Sequence, residues 1–64
     1  MKNYNWLFEI IDDESEYCGE EFFVYETDRE KAWHVARIYF PFDKMVCRGS
    51  FSDYVADMMG YDTY

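Results

Sequence analysis

A chain of 64 residues, half of them hydrophobic and 23% aromatic, is too apolar to be a disordered polyampholyte and too short to be more than one domain, spanning 1–64. Fourteen acidic against six basic residues give a net charge of −8, which argues against direct binding to nucleic acid or to anionic membrane, since both need Lys and Arg. No apolar run reaches the ~18 residues of a membrane span, and Met1–Asn5 opens no apolar leader, so a cytoplasmic protein with reduced Cys18 and Cys47 is expected.

Residues 4–11 alternate, with Tyr4, Trp6, Phe8 and Ile10 on one side and Asn5, Leu7, Glu9 and Ile11 on the other, which predicts a strand with one strongly apolar face. Residues 12–20 are polar and contain Gly19, as in a long hairpin connection. Residues 21–26 predict a second strand, with Phe22 and Val24 on one face and Phe23 and Tyr25 on the other.

Thr27-Asp28-Arg29-Glu30 fits a capping box, with the Thr27 hydroxyl serving the Glu30 amide and the Glu30 carboxylate reaching back to Thr27. The helix that follows is expected over about 28–40, with Ala32, Val35, Ala36 and Tyr39 as its buried stripe. Trp33, Arg37 and Phe40 lie beside the stripe, and Pro41 ends the helix by forcing Phe40 out of helical dihedrals. Residues 44–49 predict a short third strand, alternating Met45 and Cys47 with Val46 and Arg48. Ser50 or Ser52 then caps a helix over about 53–59, with Tyr54, Val55, Met58 and Met59 as its apolar side and Gly60 as its left-handed stop. Tyr61–Tyr64 follow as a segment that docks through its tyrosines.

The predicted architecture is therefore α+β, in the order β-β-α-β-α. It is a two-layer sandwich: a three-stranded antiparallel sheet of order 2-1-3, one helix packed on a face, and a short second helix. The two alanines let the long helix sit close to Trp6 and Phe8.

Ten of the fourteen acids fall between Glu9 and Glu30, with Arg29 the only base among them. One reading is a solvated loop whose charge limits self-association. The other is a negative ridge that meets a basic protein, or stands in for a DNA backbone, and that speeds and orients encounter. On that reading Asp12, Asp13, Glu14, Glu16, Glu20 and Glu21 attract the partner, and aromatics of the second strand, Phe23 and Tyr25, fix the contact. The alternative is a homodimer, formed through the second strand's edge or the second helix, in which acidity only confers solubility.

Catalytic and cofactor readings find little support. Asp12–Tyr17 lacks the Gly that an EF-hand loop needs at its sixth position. Cys18, His34 and Cys47 are scattered and lack the paired spacing of a zinc site. Acidic neighbours disfavour a Cys18 thiolate, and no phosphate loop or nucleophile elbow is present. No enzyme activity, cofactor or metal is expected.

The hairpin followed by Thr27-Asp28-Arg29-Glu30-Lys31-Ala32, and the ending Met58-Met59-Gly60-Tyr61-Asp62, resemble small acidic proteins encoded on bacterial mobile elements. The resemblance implies a binding role, since such proteins often inhibit host nucleases by occupying basic clefts. It carries no catalytic residue into this sequence.

Overall fold

The computed structural model describes residues 1–64 and contains β1 (Tyr4–Ile10), β2 (Glu21–Glu26), α1 (Arg29–Tyr39), β3 (Met45–Phe51) and α2 (Asp53–Met59). The sheet is three-stranded, antiparallel throughout and ordered β2-β1-β3, as the sequence predicts. No helix is long and apolar enough to cross a membrane.

Alternation along β1 divides the molecule into two unequal halves. Phe8 and Ile10 point to the α1 side, where they are fully buried with Phe22, Val24, Ala32, Ala36, Phe40 and Met45. Trp6, Trp33, Val35 and Cys47 close the rim of this cluster. Phe8 lies directly across from Phe22, and the rings stack at 5.5 Å; Trp33 meets Phe8 edge-on at 4.9 Å. Such pairs add roughly 0.5–1.5 kcal/mol each beyond the area they bury.

The buried line of α1 is Ala32, Ala36 and Phe40, spaced four apart. Tyr39, expected in that stripe, is instead 54% exposed. Phe40 takes its place because it is the helix cap before Pro41, with φ −131° and ψ 75°, and the turn out of the helix swings its ring inward.

The start of α1 also differs from expectation. Asp28, not Thr27, is the N-cap, and its carboxylate accepts from the Lys31 amide at 2.8 Å. An ionised cap gains from the helix dipole where a hydroxyl does not. Thr27 Oγ1 is turned inward and meets no hydrogen-bonding protein group. Asp28→Ala is therefore expected to lower stability by about 1 kcal/mol, whereas Thr27→Val does not lower it. Urea melts of the two variants distinguish this cap from a capping box at Thr27.

β3 runs two residues past its expected end. Leu7 faces Gly49 while Phe8 faces Cys47, so Arg48 is an extra residue in a bulge. Gly49 takes φ +110°, open to glycine and strained for other residues, and so lets the strand continue to Phe51. Ser52 then caps α2, accepting from the Val55 amide at 3.3 Å, and Gly60 closes it in the left-handed region.

The second face of the sheet holds Asn5, Leu7 and Phe23. Residues 61–64 cross it and wrap around the outer edge of β2. Tyr61 packs on Phe23, Thr63 forms a parallel bridge with Phe23, and Tyr64 reaches the α1 side against Phe22, Tyr39 and Phe40. The Phe23 amide donates to Asp62 O and the Tyr64 amide to Phe23 O, both at 2.8 Å.

Candidate functional site: the acidic end

The β1–β2 connection and the α1–β3 connection meet at one end of the sheet. The Ile11 amide donates to Lys44 O at 2.9 Å, and the Lys44 amide donates to Asp12 Oδ2 at 3.2 Å. Asp12 Oδ1 also accepts from the Glu14 amide, so this carboxylate is spent on holding two loops together. Linked turns complete the connection: the amides of Ser15, Cys18 and Glu20 donate to the carbonyls of Asp12, Ser15 and Tyr17. Gly19 takes φ +90° where the chain turns into β2.

This backbone presents Asp13, Glu14, Glu16 and Glu20 to solvent. Asp43 joins them from the α1–β3 connection. Arg37 fixes that connection by donating to Phe40 O and Asp43 O, at 3.2 and 2.6 Å. Between Pro41 and Asp43, Phe42 projects with 92% of its surface exposed. Tyr17 leans edge-on against Phe40 at 5.5 Å and stays partly exposed.

The structure gathers some of the sequence-derived candidates and disperses others. Asp13, Glu14, Glu16 and Glu20 form one surface, whereas Asp12 serves the turns. Glu21 stands at the foot of β2 beside Tyr61. Phe23 is not a contact residue: at 0% exposure it lies beneath Tyr61 and Phe51. Tyr25 is exposed but pairs with Asn5 at the far end of β2, four residues or about 13 Å from Glu21 at ~3.3 Å per residue. The β2 edge, one expected route to a homodimer, is occupied at Phe23 by residues 62–64. Phe42 and Asp43 lie at this end although the sequence does not group them with the loop acids; an aromatic between Pro41 and an acid after a helix is a loop-tip signal.

The local field shows in two tyrosines. Glu16, with smaller contributions from Asp43 and Glu20, raises the Tyr17 pKa above its ordinary value near 10. Glu21 does the same to Tyr61, helped by burial and by Glu9. A phenol whose folded pKa is raised gives stability that is complete below its unfolded pKa and is lost as pH rises through the folded value. An alkaline titration followed by tyrosinate absorbance is therefore expected to show two late-ionising phenols. Tyr17→Phe and Tyr61→Phe should each remove one of them.

Cys18 is exposed, Cys47 is half-buried and both are free thiols. No set of three or more His, Cys, Asp or Glu side chains converges as metal ligands would. Compared with known proteins, the chain matches no family profile, no curated sequence and no solved structure.

Proposed function

We propose that the protein is a non-enzymatic binding module whose acidic end engages a basic surface of another protein. One observation carries this reading: the whole molecule holds a single ion pair, Arg48 with Glu9, so no basic side chain pairs with Asp13, Glu14, Glu16 or Glu20, all of them exposed. Carboxylates held on a turn-built loop steer a cationic partner and set its orientation. Phe42, exposed next to Asp43 on the connection bonded to that loop, supplies the apolar anchor that charge alone lacks. The resemblance to acidic mobile-element proteins supports the same role, and a partner that itself binds DNA is the specific form it suggests.

The test uses the full chain as bait against lysate of the source organism. A variant with Asp13→Asn, Glu14→Gln, Glu16→Gln and Glu20→Gln runs in parallel; Asp12 is kept because it holds the turns, and Glu21 because it lies on β2 beside Tyr61 and outside the loop. A basic protein retained by the wild type, lost from the variant and released as salt rises is the expected result. Equal retention on both baits would sink the reading. Release of the partner by added duplex DNA would identify the DNA-mimicking form.

A further inference from the structure

Residues 61–64 sit on the outer edge of β2 as a bound peptide would, and they fill it only in part. Thr63 lies beside Phe23 in parallel register, and the Phe23 amide and carbonyl both leave the sheet for this segment. Alternation along the strand turns the amides and carbonyls of Glu21 and Tyr25 to the same edge. If the parallel pairing continued along β2, the Asp62 amide would donate to Glu21 O and Tyr64 O would accept from the Tyr25 amide. A residue two places past Tyr64 would then donate to Tyr25 O. None of these bonds is made.

The part that is filled shows what the edge takes. Tyr61 packs on Phe23 on one face of the sheet, and Tyr64 packs on Phe22, Tyr39 and Phe40 on the other. Two rings thus clasp the strand from both sides, and the main chain between them pairs with Phe23. Charge is left unmatched. Glu21 and Glu26 stand at the two ends of β2 with no basic partner, and the segment beside them adds a further acid, Asp62.

We propose that residues 61–64 are a displaceable stand-in, and that the β2 edge docks an extended basic segment of another protein with two aromatics at the same spacing. The incoming segment runs parallel to β2, takes over both Phe23 bonds and both ring seats, and adds the bonds that Glu21 and Tyr25 lack. Lys or Arg just before its first aromatic and two places past its second come beside Glu21 and Glu26. Residues 61–64 of a second copy make a poorer occupant. They offer the same contacts and no more, against a tethered competitor whose effective concentration is on the order of millimolar. They also bring Asp62 on a chain of net charge −8. The surface is the strand edge and not the loop acids, so this proposal and the acidic-end reading stand or fall separately.

The probe is the capped peptide Lys-Tyr-Lys-Thr-Tyr-Thr-Lys, titrated into the isotope-labelled full chain and followed by nuclear magnetic resonance. The Phe23 and Tyr25 amide resonances should shift, and the Tyr64 ring resonances should move to those of a solvated tyrosine. Tyr64→Ala removes three ring contacts from the stand-in and leaves the seat intact, so it should bind the peptide about tenfold more tightly than the wild type. A peptide N-methylated at its second tyrosine cannot donate to Phe23 O and should bind at least about tenfold more weakly. So should a peptide with Glu in place of each Lys. The four-amide loop variant keeps Glu21 and Glu26 and should bind within about threefold of the wild type at physiological salt, whichever way the acidic-end reading falls. Equal binding of the N-methylated or the Glu peptide overturns the proposal, as does an affinity that Tyr64→Ala leaves unchanged. Loss of binding in the loop variant overturns it by assigning the peptide to the acidic end. A wild-type dimer that the peptide splits into monomers overturns it by making a second copy's residues 61–64 the occupant.

Discussion

Phe8→Ala unfolds the protein at room temperature. Phe8 is fully buried, stacked on Phe22 and met edge-on by Trp33, so truncation opens a cavity at the centre of the α1-side cluster. Removing such a ring costs about 3–5 kcal/mol. A domain of this length has a total stability near the low end of ~5–15 kcal/mol, so the loss is comparable to the whole. Far-ultraviolet circular dichroism should show the helical signal gone, while Phe8→Leu retains a cooperative melt at lower temperature. Tyr4→Ala, on the same side of β1 but at its exposed end, serves as the control and should melt close to the wild type. A Phe8→Ala protein that melts cooperatively near the wild-type temperature would mean that the core is not centred where the structure puts it.

Ending the chain after Gly60 is expected to cost at least about 4 kcal/mol, from two backbone hydrogen bonds at roughly 1 kcal/mol each and four tyrosine ring contacts at roughly 0.5 kcal/mol or more each. The second consequence matters more. Phe23 loses its cover, and the outward amide and carbonyl of Phe23 are freed on an edge strand rich in aromatics. Such an edge recruits a second strand. Sedimentation velocity should show mass rising with concentration in the shortened chain and not in the full one. Tyr64→Ala separates the two effects: it removes ring packing but keeps both backbone bonds, so it should be less stable yet still monomeric. A shortened chain that stays monomeric and fully stable would show that residues 61–64 neither support the fold nor guard the edge.

Much of this architecture is legible in the residues themselves. Period-two alternation marks β1 and β2, the Pro41 stop marks the end of α1, and Ser52 with Gly60 brackets α2. What escaped depends on competition between neighbours. Thr27 and Asp28 are both good caps, and only the approach of the chain from β2 decides that the carboxylate does the capping. Tyr39 and Phe40 are both candidates for the core, and the turn before Pro41 decides between them. The extra residue at Arg48 leaves no pattern beyond a Gly inside a strand, so the alternation of β3 breaks off two residues before the strand does. The site divides in the same way. Runs of acid announce the loop, but nothing local distinguishes Asp12, committed to the turns, from Asp13, which is free. Helical spacing puts Tyr54, Val55, Met58 and Met59 on one side of α2, yet no residue of that helix is buried. The bond by which Asn5, 48 residues away in sequence, holds Asp53 leaves no trace in the local pattern.

The wrap of residues 61–64 around β2 also bears on how the protein is made. β1 and β2 leave the ribosome ahead of α1 and can pair as a hairpin, which α1 then covers at Phe8 and Ile10. Phe23 has no such early cover, because the tyrosines that shelter it are synthesised only after both helices and β3. For that interval every nascent chain carries an adhesive strip. The carboxylates between Glu9 and Glu30 emerge with that strip and lie on both sides of it. Mutual repulsion among growing chains on neighbouring ribosomes then opposes their sticking together through that strip until residues 61–64 cover it.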